Sequence, residues 1–210
     1  PATDIAKPEI FPSLLFYYGM LTIQATRGSQ LVLGIPNNNV RQQYYAYLLE
    51  NYQGAHAIQI SMLTNYFYDM AYDGLWRDAL QYMADAYKQQ SSVRDAIEGE
   101  RNIQGFFMAY LSLNDYYLVA PEVEIAHGFC DFFLLPNLTH YQSKHSYILE
   151  LKYLPKKLYA EKGEEQWQQA IEQINRYAAA PRVEALRQGT QLHKIILQFV
   201  GWELVRMEEV

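Results

Sequence analysis

One stretch, Tyr147-Ile148-Leu149-Glu150-Leu151-Lys152-Tyr153, constrains the fold of this chain more than any other. Apolar or aromatic residues fill most of its positions, a pattern that predicts a strand buried in a sheet. Residues two apart on a strand share a face, so Glu150 and Lys152 point to the same side. Burying a carboxylate and an ammonium group is costly unless each charge is paired or binds an ion. The spacing therefore predicts either a structural ion pair or a site for charged ligands.

A second apolar run, Asp131-Phe132-Phe133-Leu134-Leu135, precedes this strand and begins with an acid. An Asp on one strand and Glu-x-Lys on the next are residue types that bind a divalent metal ion and a phosphate together. We expect Asp131, Glu150 and Lys152 to converge at one edge of a mixed sheet, with Glu100 reaching in from a flanking helix. The alternative interpretation is an ion pair between Glu150 and Lys152 on a half-exposed strand.

Charge and composition narrow the possible partners. The chain has 210 residues and a formal net charge of −6, which argues against a broad basic surface. Nucleic acid would therefore bind in a local groove, with metal ions offsetting the acids. The single cysteine, Cys130, excludes an internal disulfide and a Cys-based zinc site. No signal peptide or membrane-spanning run occurs, which predicts a cytoplasmic protein without a membrane partner. Because the chain begins with Pro1 rather than Met, we expect it to be a piece of a longer protein.

Residues 1–90 predict a mostly helical module. The predicted elements are a helix over 10–24, a hairpin over 21–35 with its turn at Arg27-Gly28-Ser29, and helices over 40–52, 58–72 and 75–89. A helix, a hairpin and a helix in this order are typical of a winged helix, which binds DNA or serves as a connector.

Residues 91–210 predict a second domain of the α/β class, a mixed sheet flanked by helices. The predicted elements are a helix carrying Glu100, strands over 116–125, 131–135 and 147–153, a helix over 165–180 and a strand over 192–200. Pro121 predicts that the first strand is bulged or lies at an edge. The last helix is a crossover that places the final strand parallel to its neighbour.

This order of elements, with Asp131 followed by Glu150-Leu151-Lys152, resembles the PD-(D/E)xK nuclease superfamily and its restriction-endonuclease-like fold. Gln173-Ile174-Asn175-Arg176-Tyr177 is similar to the Q-x-x-x-Y motif of the exonuclease branch. The whole chain resembles the C-terminal part of bacterial AAA-ATPase-like proteins that carry such a nuclease domain. Residues 13–19 and 33–37 are similar to the segment that follows the ATPase in those proteins.

The resemblance implies a metal-dependent nuclease that uses Mg²⁺ or Mn²⁺, acts on DNA rather than RNA, and has an ATPase domain upstream. The implied metal ligands are Glu100, Asp131 and Glu150, and the implied catalytic residues are Asp131, Glu150, Lys152, Gln173 and Tyr177. Glu124 stands where the family has an acid ahead of the catalytic Asp. The chain itself lacks the Gly-x-x-x-x-Gly-Lys-[Ser/Thr] sequence of a phosphate loop.

Two departures from the family pattern leave alternatives open. Gly128-Phe129-Cys130-Asp131 lacks the Arg that is common in the family, and Gln104 stands where the family commonly has His. Neither change removes a metal ligand. One alternative is a catalytically weakened domain that binds nucleic acid or a partner without cutting. The other is a structural or regulatory module of an ATPase.

Overall fold

The computed structural model describes residues 11–28, 30–37, 40, 43–44, 59–89, 99–125 and 128–210. Contacts divide the chain into two compact units, residues 1–51 and residues 52–210. Among the described residues, no helix has both the length and the apolar character needed to cross a membrane. The cytoplasmic location stays a prediction.

The first unit contains a short helix and a hairpin. Helix α1 (Phe11–Tyr17) precedes strands β1 (Thr22–Arg27) and β2 (Gln30–Gly34), which pair antiparallel as the sequence predicts. The predicted helix over 10–24 is too long, because Gly19 adopts a left-handed φ of +71° and the first strand takes up the following residues. Most of the predicted helix over 40–52 lies outside the described residues, so the winged-helix module stays a prediction.

The second unit contains a five-stranded sheet in the order β3-β4-β5-β6-β7. Its strands are β3 (Tyr117–Ile125), β4 (Gly128–Pro136), β5 (His145–Leu154), β6 (Gln191–Val200) and β7 (Glu203–Glu209). Strands β5 and β6 are parallel, and the other neighbouring pairs are antiparallel. This mixed sheet confirms the predicted fold class, and β3 lies at an edge as Pro121 predicts. Strand β7, which pairs with β6 and forms the other edge of the sheet, was not predicted.

Five helices are described in the second unit: α2 (Ile60–Asp73), α3 (Arg77–Gln89), α4 (Glu100–Leu111), α5 (Lys156–Ala178) and α6 (Pro181–Arg187). Two neighbouring residues of β6 show which helices lie on each face of the sheet. The Gln198 side chain donates to the Gly163 carbonyl of α5 at 2.8 Å. The Phe199 ring packs against Tyr87 of α3 and Phe107 of α4, with centroids 5.7 and 5.8 Å away. Because successive strand residues point to opposite faces, α5 covers one face and α3 and α4 cover the other.

Helix α5 is held to its face of the sheet by a continuous apolar cluster. The buried members are Cys130, Phe133, Ile148, Trp167, Ala170, Ile174, Tyr177, Val183 and Ile196. The helix begins at Lys156, nine residues before the predicted start at 165, because the polar stretch that follows Pro155 consists mainly of good helix formers. Its packing fixes the position of every residue that it presents at the sheet edge.

The predicted domain boundary between residues 90 and 91 stays a prediction. Helices α2 and α3 lie in the unit that contains the sheet. The Tyr147 hydroxyl of β5 donates to the Met70 carbonyl of α2 at 2.7 Å, which ties that helix to the sheet.

Candidate active site

The site begins where strand β4 ends its regular pairing with β5. The residues of β4 and β5 that pair run from Leu134 with Tyr147 to Phe132 with Leu149, and the pairing stops there. At the next step the Leu151 backbone N–H donates to Oδ2 of Asp131 at 2.6 Å. The side chain of Asp131 therefore takes the place of a backbone acceptor, which turns its carboxylate toward β5.

Helix α4 supplies a second hydrogen bond to the same carboxylate. The amide Nε2 of Gln104 donates to Oδ1 of Asp131 at 2.7 Å. One carboxylate oxygen of Asp131 thus accepts a hydrogen bond from β5, and the other accepts one from α4.

Glu150 is buried in the middle of β5, with 1% of its surface exposed. The Lys152 ammonium group donates to its Oε1 at 2.6 Å. Its Oε2 is buried and accepts no hydrogen bond of normal geometry from the described residues, while the nearby Asp131 backbone N–H favours the charged carboxylate. A buried oxygen without a hydrogen bond lowers the stability of the folded protein. Carboxylate oxygens are also the ligands that Mg²⁺ prefers. The residues present therefore fit a divalent cation at this oxygen.

Lys152 continues the chain of contacts toward α5. Its ammonium group also donates to Oε1 of Gln173 at 3.1 Å, and Nε2 of Gln173 donates to the Tyr177 hydroxyl at 2.7 Å. The structure thus brings together the acid, the lysine, the glutamine and the tyrosine that the sequence singles out. Tyr177 is also buried in the core, so its ring packs while its hydroxyl faces the site.

Burial and mutual repulsion disfavour ionisation of the two acids. Burial, and to a lesser extent the charge of Asp131, raise the pKa of Glu150 to about 7, although Lys152 and the Asp131 backbone N–H oppose both effects. Burial also raises the pKa of Asp131, against the lowering effects of the Leu151 N–H, Lys152 and Gln104. Two carboxyl groups that hinder each other's ionisation favour a bound cation, which would neutralise both.

Glu100 lies at the start of α4, the helix that also carries Gln104. It is exposed at the first position of α4, and its charge is the weakest of the influences that set the pKa of Asp131. Within the described ranges, no three His, Cys, Asp or Glu side chains form a cluster that could hold a metal ion. Asp131 and Glu150 are therefore the two acids at the centre, and a ligand role for Glu100 stays a prediction. The side chain of Glu124 lies outside the described part of the chain.

A family model of the PD-(D/E)XK nuclease superfamily matches residues 98–209, just over half of the chain. The chain belongs to the PD-(D/E)XK nuclease superfamily. The match runs from α4 to β7 and contains every residue of the site described above. A search of curated proteins and a search of solved structures found no match.

Membership of the PD-(D/E)XK superfamily makes this chain a nuclease-like domain, and the five-stranded mixed sheet is consistent with a restriction-endonuclease-like fold. Nucleases of this superfamily generally use divalent metal ions. The sequence pattern did not reveal the hydrogen bond between Gln104 and Asp131. Two signals pointed to Gln104: it stands where the family commonly has His, and it follows Glu100 by four residues and so lies on the same helix face.

Proposed function

We propose that this PD-(D/E)XK domain hydrolyses phosphodiester bonds of nucleic acid, DNA rather than RNA, with Mg²⁺ or Mn²⁺ bound by Asp131 and Glu150. The unpartnered, buried Oε2 of Glu150 carries the proposal, because it lies beside a second acid and a lysine. Glu100 would supply a further carboxylate once the metal ion and the substrate are bound.

The residues of the chain have distinct parts in the proposed reaction. When bound, the metal ion would lower the pKa of a water molecule and neutralise charge on the phosphate. Lys152 would donate to a phosphate oxygen, where a compact ammonium group stabilises the charge that develops in the transition state. Gln173 would hold Lys152 in place through the 3.1 Å hydrogen bond, and Tyr177 would hold Gln173.

We also propose that an ATPase domain precedes this chain in the full-length protein and that residues 1–90 connect the two. Support comes from the resemblance of residues 13–19 and 33–37 to the segment that follows the ATPase in bacterial AAA-ATPase-like proteins. The ATPase would supply ATP-driven movement, since the sequence itself lacks a phosphate loop.

One observation favours a second function, a nuclease-like domain that binds nucleic acid or regulates an ATPase without cutting. The ammonium group of Lys152 already forms a 2.6 Å ion pair with Glu150, as expected of two residues that only stabilise each other. The Arg that is common before the catalytic Asp is also absent, since Phe129 and Cys130 stand there.

The deciding experiment compares cleavage of matched DNA and RNA substrates in Mg²⁺, in Mn²⁺ and in EDTA. We expect metal-dependent DNA cleavage that Asp131→Asn reduces by about a hundredfold or more. Asp85→Asn is the matched control, because Asp85 is exposed on α3 and accepts a hydrogen bond from Gln81. Binding of DNA without cleavage in either metal would establish the second function instead.

A further inference from the structure

Helix α4 places the side chain of Gln104 beside Asp131, one of the two acids of the site. Gln104 is half-buried, and its neighbours Ile103 and Phe107 are buried in the core with 1% and 0% of their surface exposed. The backbone at Gln104 is therefore held by packing on both sides. A side chain that starts from a fixed backbone and ends in a 2.7 Å hydrogen bond to Asp131 has little freedom left.

The carboxylate of Asp131 needs two donors to be fixed. Rotation about the last side-chain bond of an Asp is soft, with broad and roughly twofold preferences. A single hydrogen bond from the Leu151 N–H to Oδ2 leaves that rotation open. The second bond, from Gln104 to Oδ1, defines the plane of the carboxylate. A carboxylate offers about four lone-pair positions, so two hydrogen bonds still leave positions for a metal ion.

We propose that Gln104 is a positioning residue that fixes the carboxylate plane of Asp131 for metal binding. The inference rests on the proposed function, because it assigns Gln104 a part in holding the same ion. Residues that orient metal ligands from behind commonly change metal affinity by 10- to 100-fold when they are removed, although they do not touch the metal. Gln104 would also make metal affinity depend on the position of α4, the helix that carries Glu100.

The test measures Mn²⁺ affinity by isothermal titration calorimetry without substrate, so that its readout does not depend on cleavage. Gln104→Leu keeps much of the side-chain volume and removes the donor, and we expect it to raise the Kd for Mn²⁺ by about tenfold or more. Gln104→Asn keeps the amide but shortens it by one methylene, so we expect a similar increase. Gln104→His restores a ring N–H donor and should recover most of the affinity.

A second readout needs no metal. Hydrogen exchange of the Leu151 amide reports on its bond to Asp131, and we expect faster exchange in Gln104→Leu and Gln104→Asn than in the wild type. The matched control is Gln81→Leu, which removes a similar 2.9 Å hydrogen bond from a Gln to Asp85 on the exposed face of α3. It should leave the Mn²⁺ Kd and the Leu151 exchange rate unchanged.

The outcomes separate the two claims. A wild-type protein that binds no Mn²⁺ overturns the proposed function and this inference with it. A wild type that binds Mn²⁺, with the same Kd in folded Gln104→Leu and Gln104→Asn, overturns the inference alone. If Gln104→Leu fails to fold, Gln104→Asn decides the matter, since it preserves the polarity of the site.

Discussion

The ammonium group of Lys152 donates to two acceptors of different charge, the Glu150 carboxylate at 2.6 Å and the Gln173 amide oxygen at 3.1 Å. A metal ion at Glu150 would compete for the first acceptor, whereas the neutral amide would stay available to hold the lysine. The second acceptor therefore gives Lys152 a position from which to reach a phosphate.

At the residue scale, we predict that Lys152→Ala reduces cleavage by about a hundredfold to a thousandfold and leaves the fold intact. The side chain keeps 18% of its surface exposed, so its loss removes some packing, and the buried Glu150 can take up a proton when it loses its partner. Initial cleavage rates and circular dichroism test both parts. Lys194→Ala is the control, because Lys194 also donates to a neutral amide of α5, that of Asn175 at 2.6 Å. Unchanged cleavage by Lys152→Ala would mean that the cleavage does not take place at this site.

Stability should respond to the charge of Glu150. Its pKa is raised from 4.5 to about 7 in the folded protein, so the folded state binds more protons than the unfolded state between those values. The free energy of unfolding contributed by this group therefore falls as the pH rises from about 4.5 through about 7. We predict that Glu150→Gln without metal is more stable than the wild type at about pH 8, by on the order of 1 to 3 kcal/mol.

Urea denaturation in EDTA at about pH 5 and about pH 8 measures this effect. The advantage of Glu150→Gln should shrink at the lower pH, where the wild-type carboxyl is largely protonated. An equal difference at both values would mean that the Glu150 carboxyl is not destabilised by burial.

At the element scale, the sequence predicted those features that depend on local pattern. The apolar residues of α5 recur at helical spacing: Trp167, Ala170, Ile174 and Tyr177 are buried, and Ile171 and Ala178 are partly buried beside them. Strand β7 escaped prediction because charged residues occupy most of its exposed positions and only Met207 is buried. The hydrogen bond from Gln104 to Asp131 could not be predicted, because it depends on how α4 is rotated over the sheet and on where β4 stops pairing.

Helix α5 should support the site without depending on it for stability. We predict that the double change Gln173→Ala, Tyr177→Phe lowers cleavage or substrate affinity by roughly tenfold, as loss of an orienting partner does. The free energy of unfolding should fall by only about 1 kcal/mol, because the buried ring stays and one hydrogen bond is lost.

Cleavage rates per folded molecule and thermal melting test this prediction. Gln168→Ala is the control, since Gln168 lies exposed on the same helix and donates to Glu164 at 2.9 Å. A sharp drop in melting temperature with unchanged activity would mean that Gln173 and Tyr177 serve the core alone.

At the scale of the whole molecule, the position of the domain boundary can be tested by truncation. We predict that a chain beginning at residue 52 folds cooperatively, because its compact unit contains the entire five-stranded sheet. A chain beginning at residue 91 would lose α2 and α3. It would then expose the apolar surface on which those helices pack. The buried apolar residues lost with them are Leu63, Phe67, Met70, Leu80 and Tyr87, together with Trp76 between the two helices.

Thermal melts and limited proteolysis of the two truncated chains distinguish the boundaries. We expect a sharp transition for the chain that begins at residue 52 and a weak or absent one for the chain that begins at residue 91. A sharp transition in both would support the domain boundary predicted from the sequence.

The parallel pairing of β5 with β6 sets the order of events during synthesis. His145 pairs with Gln191, which is made 46 residues later (191 − 145), and Leu154 pairs with Val200. A growing chain thus carries Asp131, Glu150 and Lys152 well before β6 exists to enclose the strand on which two of them lie. The sheet around these residues is therefore complete only after residue 200 has left the ribosome.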